Sequence, residues 1–227
     1  VSADQEKKVA AEAAAMLVED GMTLGLGTGT TVAFLLPALA RRSLDLRCVA
    51  TSPRTLAAAR DLGLRVDALD GIDRLDLAID GADQIAPDGW LVKGGGGAHT
   101  REKVVAAAAA RFVVIADSSK PVASLHQPIP LELLAFGLGT TLRRIGPVSP
   151  RDVPRSPDGG VIADYRGQVG DPTVLAAWLA STPGVVEHGL FPPEMVTTIL
   201  VGRGDSVSRT DLAPRGGGKL TSKAEER

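Results

Sequence analysis

The sequence predicts an α/β protein: a parallel sheet covered by helices, followed by a smaller antiparallel α+β lobe toward the C-terminal end. Three observations carry this expectation. Extended and helical patterns alternate through residue 116, as they do where strands are joined by covering helices. The pattern changes after Gln127-Pro128-Ile129-Pro130. The 227 residues, 44% apolar with a net charge of −2, suit one large or two small globular domains.

The elements follow in order. Residues 4–20 read as a helix, because Val9, Ala10, Ala13, Met16 and Leu17 recur near a 3.6-residue period and Gly21 is a natural stop. Met22 to Leu26 is a short apolar strand, and residues 31–42 resume helical composition, ending in Arg41-Arg42, which suit a helix C-terminus. Leu46 to Ala50 reads as a second strand and Ser52 to Leu62 as a helix closed by Gly63. Leu64 to Val66 and Leu75 to Ile79 are further strands, and Trp90 to Val92 is short and extended. Arg101 to Ala110 is helical and Phe112 to Ala116 a buried strand.

In the second stretch, Leu131 to Leu134 and Val161 to Asp164 read as strands, and Gly139 to Ile145 as a helix. Asp171 caps a helix to Leu179 with Pro172 at its first position. Val185-Val186 and Val196 to Val201 are strands. The expected division is a main domain of residues 1–127 plus about 202–210, a small lobe of 128–201 and a mobile tail of 211–227.

Composition excludes several classes. Glycine has no three-residue period, so the chain is not collagen-like. Apolar content is too high for a disordered chain, and no apolar run is long enough for a membrane span. The N-terminus is charged rather than apolar, so no signal peptide is expected. The single Cys48 cannot form an internal disulfide and suits a reducing cytoplasm. A pI near 6.0 gives no reason to expect nucleic acid.

Glycine is in excess, 26 residues or about 11%, against a usual share of roughly 7%. Gly25, Gly27 and Gly29 form one cluster, Gly94 to Gly97 a second, and Gly216 to Gly218 a third. The first lies between a strand and a helix and is followed by threonines: either a phosphate cradle at a helix N-terminus or a tight turn capped by Thr. It lacks the third glycine of the dinucleotide fingerprint and the Gly-Lys-Ser/Thr of a P-loop.

Asp80-Gly81-Ala82-Asp83 places two carboxylates at a strand's C-terminal end, where open α/β sheets bind ligands. They suit sugar hydroxyls, proton shuttling or a metal, or else a solvated turn. No histidine lies nearby in sequence, which weakens the metal alternative. In Lys93-Gly-Gly-Gly-Gly-Ala-His-Thr-Arg-Glu-Lys103, four consecutive glycines interrupt the βα pattern. A backbone lining a site explains them better than a linker. Glu102, in the first turn of the next helix, is a dipole-stabilised cap or, if it faces the pocket, a general base. His99 reads as an ordinary polar loop residue.

Together these blocks resemble the A-type ribose-5-phosphate isomerases. Gly25 to Thr31, Asp80 to Asp83, Lys93 to Lys103 and Ile115 to Lys120 carry the resemblance, which Pro130 to Leu133 and Pro183 to Phe191 extend into the second lobe. It covers about residues 4–207. It implies a Rossmann-like main domain with a small α+β lobe inserted near the C-terminal end. The implied activity is interconversion of ribose 5-phosphate and ribulose 5-phosphate through a cis-enediolate. No cofactor or metal is implied, and neither nucleic acid nor membrane is an expected partner. The implied assembly is a homodimer or dimer-based tetramer.

By the same resemblance, Glu102 is the general base, Asp80 serves ring opening, and Asp83 and Lys93 orient and polarise the reacting oxygens. Substrate is held by Thr28, Gly29, Thr30 and Thr31, by Gly81 and Ala82, by Gly94, Gly95 and Gly96, and by Lys120. Lys7 and Arg101 are further phosphate contacts. Thr30 stands where serine is common, Gln84 where glutamate is common, and Pro121 is unusual. Two alternatives accompany this reading. One is another sugar-phosphate enzyme of similar fold, such as an amino-sugar phosphate deaminase, whose motifs are missing. The other is a non-catalytic sensor, which would usually carry a helix-turn-helix.

Overall fold

The structure, a computed structural model, describes residues 2–212. Ser2 caps α1 (Ala3–Ala15) by accepting from the Gln5 N–H. This helix stops at Ala15 rather than near residue 20. Beyond it the chain tightens into turns, Leu17 N–H to Ala14 O and Val18 N–H to Ala15 O, which carry Val18 into the core. Then come β1 (Thr23–Leu26), α2 (Thr30–Ala40), β2 (Arg47–Ala50) and α3 (Pro53–Asp61), the last capped by Ser52. Next are β3 (Leu75–Gly81), β4 (Gln84–Ile85), β5 (Leu91–Val92), α4 (His99–Ala108) and β6 (Ala109–Asp117).

A six-stranded sheet forms the centre. From one edge it runs β2, β1, β3, β6, then β12 (Thr198–Arg203) and β13 (Ser206–Asp211), and only β13 is antiparallel. Strand periodicity divides its side chains between two cores. Leu77, Ile79, Val113 and Ile115 pack with α1 and α2, whereas Ala78, Phe112, Val114 and Ala116 pack with Val105 and Ala106 of α4 on the other face. Gly25 permits the second contact, since a Cβ there would lie 2.4 Å from Val105 Cγ1.

The small lobe is an antiparallel sheet ordered β10 (Val185–His188), β7 (Ile129–Leu133), β9 (Val161–Tyr165) and β8 (Val148–Pro150). Two helices, α5 (Leu138–Ile145) and α6 (Pro172–Ser181), accompany it, and Asp171 caps α6 as its sequence predicts. A three-stranded ribbon of β11 (Leu190–Phe191), β5 and β4 also forms.

Three expectations change. Leu64 to Val66 makes only one parallel bridge, Val66 to Cys48, because Val66 alone of the three is buried. Residues 198–201 belong to the main sheet, paired with β6, so a boundary at 201 falls inside a main-sheet strand. A strand's pattern does not say which distant strand it will pair with. Asp211, expected to start the tail, instead pairs with Thr198 at the end of β13, an edge strand that leaves it exposed. Residues 213–227, including Gly216 to Gly218, lie outside the described residues.

Candidate active site

Strand β1 lies between β2 and β3, so the chain leaves it toward one side of the sheet and later returns on the other. Such a reversal opens a crevice at the strand C-termini. The loops after Leu26 and Gly81 meet there. Gly27 has no room for a side chain, since a Cβ would lie 2.0 Å from the Asp80 carboxylate. That close approach lets Asp80 Oδ1 accept from the Thr28 N–H at 3.0 Å and the Gly81 N–H at 2.7 Å.

Lys93, just past β5, reaches into the same space. Its Nζ lies 2.9 Å from Asp80 Oδ2, 2.5 Å from Gly81 O and 3.2 Å from Glu102 Oε2. Asp80, Lys93 and Glu102 are all buried, at 3%, 2% and 4% exposure. The Glu102 contact has ion-pair distance but not hydrogen-bond alignment, and its Oε2 has no hydrogen-bond donor among the described residues.

One ammonium cannot neutralise two buried carboxylates. Burial raises the Asp80 pKa, although Lys93 and the two N–H groups oppose it. Glu102 is pushed up to about 8, first by burial and then by the Asp80 charge, against the pull of Lys93. Burial works against the Lys93 ammonium, but Asp80 and then Glu102 outweigh it and hold its pKa above the ordinary lysine value. The retained proton falls to Glu102, because Asp80 lies closer to Lys93 and accepts from two backbone N–H groups, whereas Glu102 Oε2 has no hydrogen-bond donor among the described residues.

Above this triad opens a cavity of about 470 Å³, counting its mouth. Thr28 to Thr31, Gly81 to Asp83 and Lys93 to Gly96 line it, with Glu102 and Lys120. Every predicted substrate contact is therefore on its wall except Asp80, which sits beneath it, and the two further phosphate contacts Lys7 and Arg101. Helix α2 begins here with Gly29 as N-cap and no side-chain cap, leaving N–H groups for an anion. Asp83 Oδ2 accepts from the Gly95 N–H at 2.7 Å, joining the aspartate pair to the glycine loop.

Lys7 and Arg101 do not line the cavity. Lys7 Nζ lies 3.5 Å from Asp4 Oδ1 within its own helix, and Arg101 makes two 2.7 Å bonds to Asp158. His99 is fully buried rather than a loop surface residue, and burial, helped by Lys103, lowers its pKa to about 3. Among the described residues, neither ring nitrogen has a well-formed hydrogen bond. The ring fills the space behind Gly94, where a Cβ would lie 2.6 Å from Nδ1.

Gln84 pairs its amide with the His126 backbone in both directions, at 2.7 and 2.8 Å, so its loss of charge serves packing. Pro121 lies beside β4 between the Ile85–Lys120 and Ile85–Val122 backbone bonds, which fasten the Lys120 loop. Sequence reasoning passes over Thr51 and Thr55. Thr28 Oγ1 lies 2.7 Å from Thr51 Oγ1, and Thr55 donates to Gly27 O at 2.9 Å. Their position after a strand ending at the same sheet edge is the signal that could have found them.

Comparison with known proteins agrees with this geometry. The family model described as Ribose 5-phosphate isomerase A (phosphoriboisomerase A) matches residues 47–206. Ribose-5-phosphate isomerase A of Caulobacter vibrioides is 44% identical over 225 residues, covering 92% of this chain and 99% of that protein. The crystal structure of ribose 5 phosphate isomerase A from Neisseria gonorrhoeae superposes with a TM-score of 0.88 at 30% identity, covering 92% of this chain and 97% of that one. A D-ribose-5-phosphate isomerase in complex with phospho-erythronic acid also gives 0.88 at 30% identity, over 93% and 100% of the two chains. A match that spans nearly the whole of these relatives, on a fold whose crevice gathers the carboxylates and the lysine, places the chain in the ribose 5-phosphate isomerase A family.

Proposed function

We propose that this protein interconverts D-ribose 5-phosphate and D-ribulose 5-phosphate, with Glu102 as the proton-transferring base. The observation that carries the assignment is the buried Asp80–Lys93–Glu102 triad at the floor of a cavity lined by glycine and threonine. Aldose–ketose isomerisation moves one proton between C2 and C1. A single carboxylate can remove it and return it to the neighbouring carbon through a cis-enediolate. Its pKa should approach neutrality, and that of Glu102 is raised.

The phosphate belongs at the Thr28–Thr31 end, against the start of α2 and Lys120. There it supplies binding energy away from the reacting carbons. The reacting oxygens face Lys93 and the Gly94–Gly96 backbone, where an ammonium and N–H groups stabilise developing negative charge. The Lys93 ammonium also stands within ion-pair distance of Glu102. Directing it to the substrate oxygen instead leaves Glu102 free to act as base. Asp80, held by Lys93 and two backbone N–H groups, assists ring opening, and Asp83 orients a hydroxyl.

A homodimer or dimer-based tetramer in the cytoplasm belongs to the same proposal. Exposed apolar side chains support the assembly: Leu134, Phe136, Val174, Trp178 and Val186, all in the small lobe. The buried free thiol of Cys48 suits a reducing compartment. Among the described residues, no helix is long and apolar enough to cross a membrane.

The test is direct. Purified protein is mixed with ribose 5-phosphate and ketose formation is followed with chelator present. Turnover is expected; its absence sinks the assignment, and turnover only without chelator sinks the metal-free mechanism. Light scattering on the same sample reads the assembly, and a monomer would sink that part.

A further inference from the structure

We infer that Arg151, on the small lobe, is a positioning residue for the reaction, which it serves by holding the Gly94–Gly96 backbone with its N–H groups toward the cavity. The inference rests on the isomerase assignment for its kinetic consequence, but not for its geometry. Arg151 follows β8, far from the glycine loop in sequence. Its Nη1 nevertheless donates to Gly94 O at 3.0 Å and to Gly95 O at 2.9 Å. The other side of the guanidinium is fixed by Asp164 of β9, whose Oδ1 accepts from Nε at 3.0 Å and Nη2 at 2.7 Å. The side chain is only 18% exposed. A planar, always-charged fork can brace two carbonyls and a carboxylate at once, which an ammonium cannot do with the same rigidity.

The peptide planes give the brace its consequence. In a trans peptide the C=O and the next N–H point in opposite directions. Arg151 holds Gly94 O, so the Gly95 N–H points the other way, and it meets Asp83 Oδ2 at 2.7 Å. Arg151 also holds Gly95 O, so the Gly96 N–H turns away from the guanidinium as well. Gly96 lines the cavity, and its N–H makes no hydrogen bond among the described residues. It is a donor kept for an anionic oxygen.

The loop itself holds only the first of these carbonyls, Gly94 O, to which the Gly97 N–H donates at 3.0 Å; Gly95 O has Arg151 as its one donor among the described residues. Four consecutive glycines have the widest conformational freedom of any sequence, and Gly94 adopts a φ of +105°. A flip of either peptide would aim a carbonyl at the developing oxyanion. Arg151 opposes that flip from a different lobe.

Arg151→Ala and Arg151→Lys test this with two readouts. Backbone hydrogen exchange of the 93–103 segment needs no turnover. Removing the brace should accelerate it while strands β3 and β6 exchange as in the wild type. In the isomerase assay, Arg151→Ala should lower kcat by about 10-fold or more with a smaller change in KM, the cost of a misplaced reacting environment. Arg151→Lys should fall between, and low, non-denaturing guanidinium should restore part of the alanine variant's kcat but none of Glu102→Gln's. If the alanine variant does not fold, the lysine variant carries both readouts. Unchanged loop exchange overturns the brace. A kcat within about twofold of an active wild type, or an exchange effect without guanidinium rescue, overturns its role in the reaction. An inactive wild type would instead refute the isomerase assignment and leave the exchange result to judge the brace.

Discussion

The Lys93 ammonium lies 3.2 Å from Glu102 Oε2, with both side chains buried and the contact not aligned as a hydrogen bond. Asp80, on the other side, lies closer to the same ammonium, at 2.9 Å, and also accepts from the Thr28 and Gly81 N–H groups. This asymmetry keeps Glu102 basic, because its ionised form lacks the donors that stabilise Asp80. A buried carboxylate with a raised pKa is a poor device for stability and a good one for moving protons near neutral pH.

A pH profile should show this directly. The base must be ionised, and in the free enzyme Glu102 is raised from 4.5 to about 8. The ratio kcat/KM should therefore climb along an acid limb whose midpoint lies well above 4.5. A profile already level from about pH 5 upward would contradict the raised base. Glu102→Gln should lose kcat by about 10²-fold or more, keep binding, and erase that limb.

The same shift has a thermodynamic consequence. A carboxylate with a raised folded-state pKa stays protonated in the fold while the unfolded chain ionises, so its contribution to stability is lost as pH rises. The window here runs from about 4.5 to about 8. Glu102→Gln removes the ionisation. Its melting temperature should match the wild type's near pH 4.5 and exceed it by about 2 °C or more at pH 9. Equal melting temperatures across this range would mean that Glu102 is not strained by burial.

Gly27→Ala tests the close approach of β1 to Asp80. The new Cβ would lie 2.0 Å from the carboxylate, so Asp80 must leave its place beside the Thr28 N–H and Lys93. We expect a loss of at least about 10-fold in kcat together with a lower melting temperature. Wild-type behaviour in both would show that the loop can yield at no cost.

Thr31→Ala separates phosphate binding from chemistry. Thr31 lines the cavity in the first turn of α2, distant in role from the proton transfer. The variant should raise KM by about 10-fold or more, as loss of a hydrogen bond to a charged group does, with kcat nearly unchanged. A fall in kcat alone would move the phosphate elsewhere.

Cys48 should be inert. It is fully buried in β2, and burial, with the Asp67 charge adding to it, pushes its thiol up to about 12. An alkylating thiol reagent at pH 8 should leave the native protein unlabelled and label it fully after denaturation. Prompt native labelling would show that this strand opens.

The glycine clusters and the paired aspartates are legible in the sequence because each is contiguous, and local backbone demands are written in adjacent residues. The same holds for the Asp171 cap and for the helix read from Ser52, which the structure starts at Pro53 with Ser52 as its cap. The long-range partners are not legible there. Arg101 reads as a phosphate ligand by its place in the motif, yet it turns to Asp158, and Lys7 turns to Asp4. Val196 to Val201 reads as a strand with no hint that β6 is its neighbour.

Alternation of strand and helix, helix caps and the density of glycine around acids and a lysine determine the fold class, the crevice and the kind of ligand it accepts. These are matters of periodicity and local conformation, which the order of residues encodes directly. Folding alone decided that Lys93 should stand between Asp80 and Glu102, that Glu102 should hold its proton, and that Arg151 should reach across from another lobe to the glycine loop. Those outcomes depend on burial and on distances of a few ångströms between residues remote in the chain, and both exist only after the sheet and the lobe have packed.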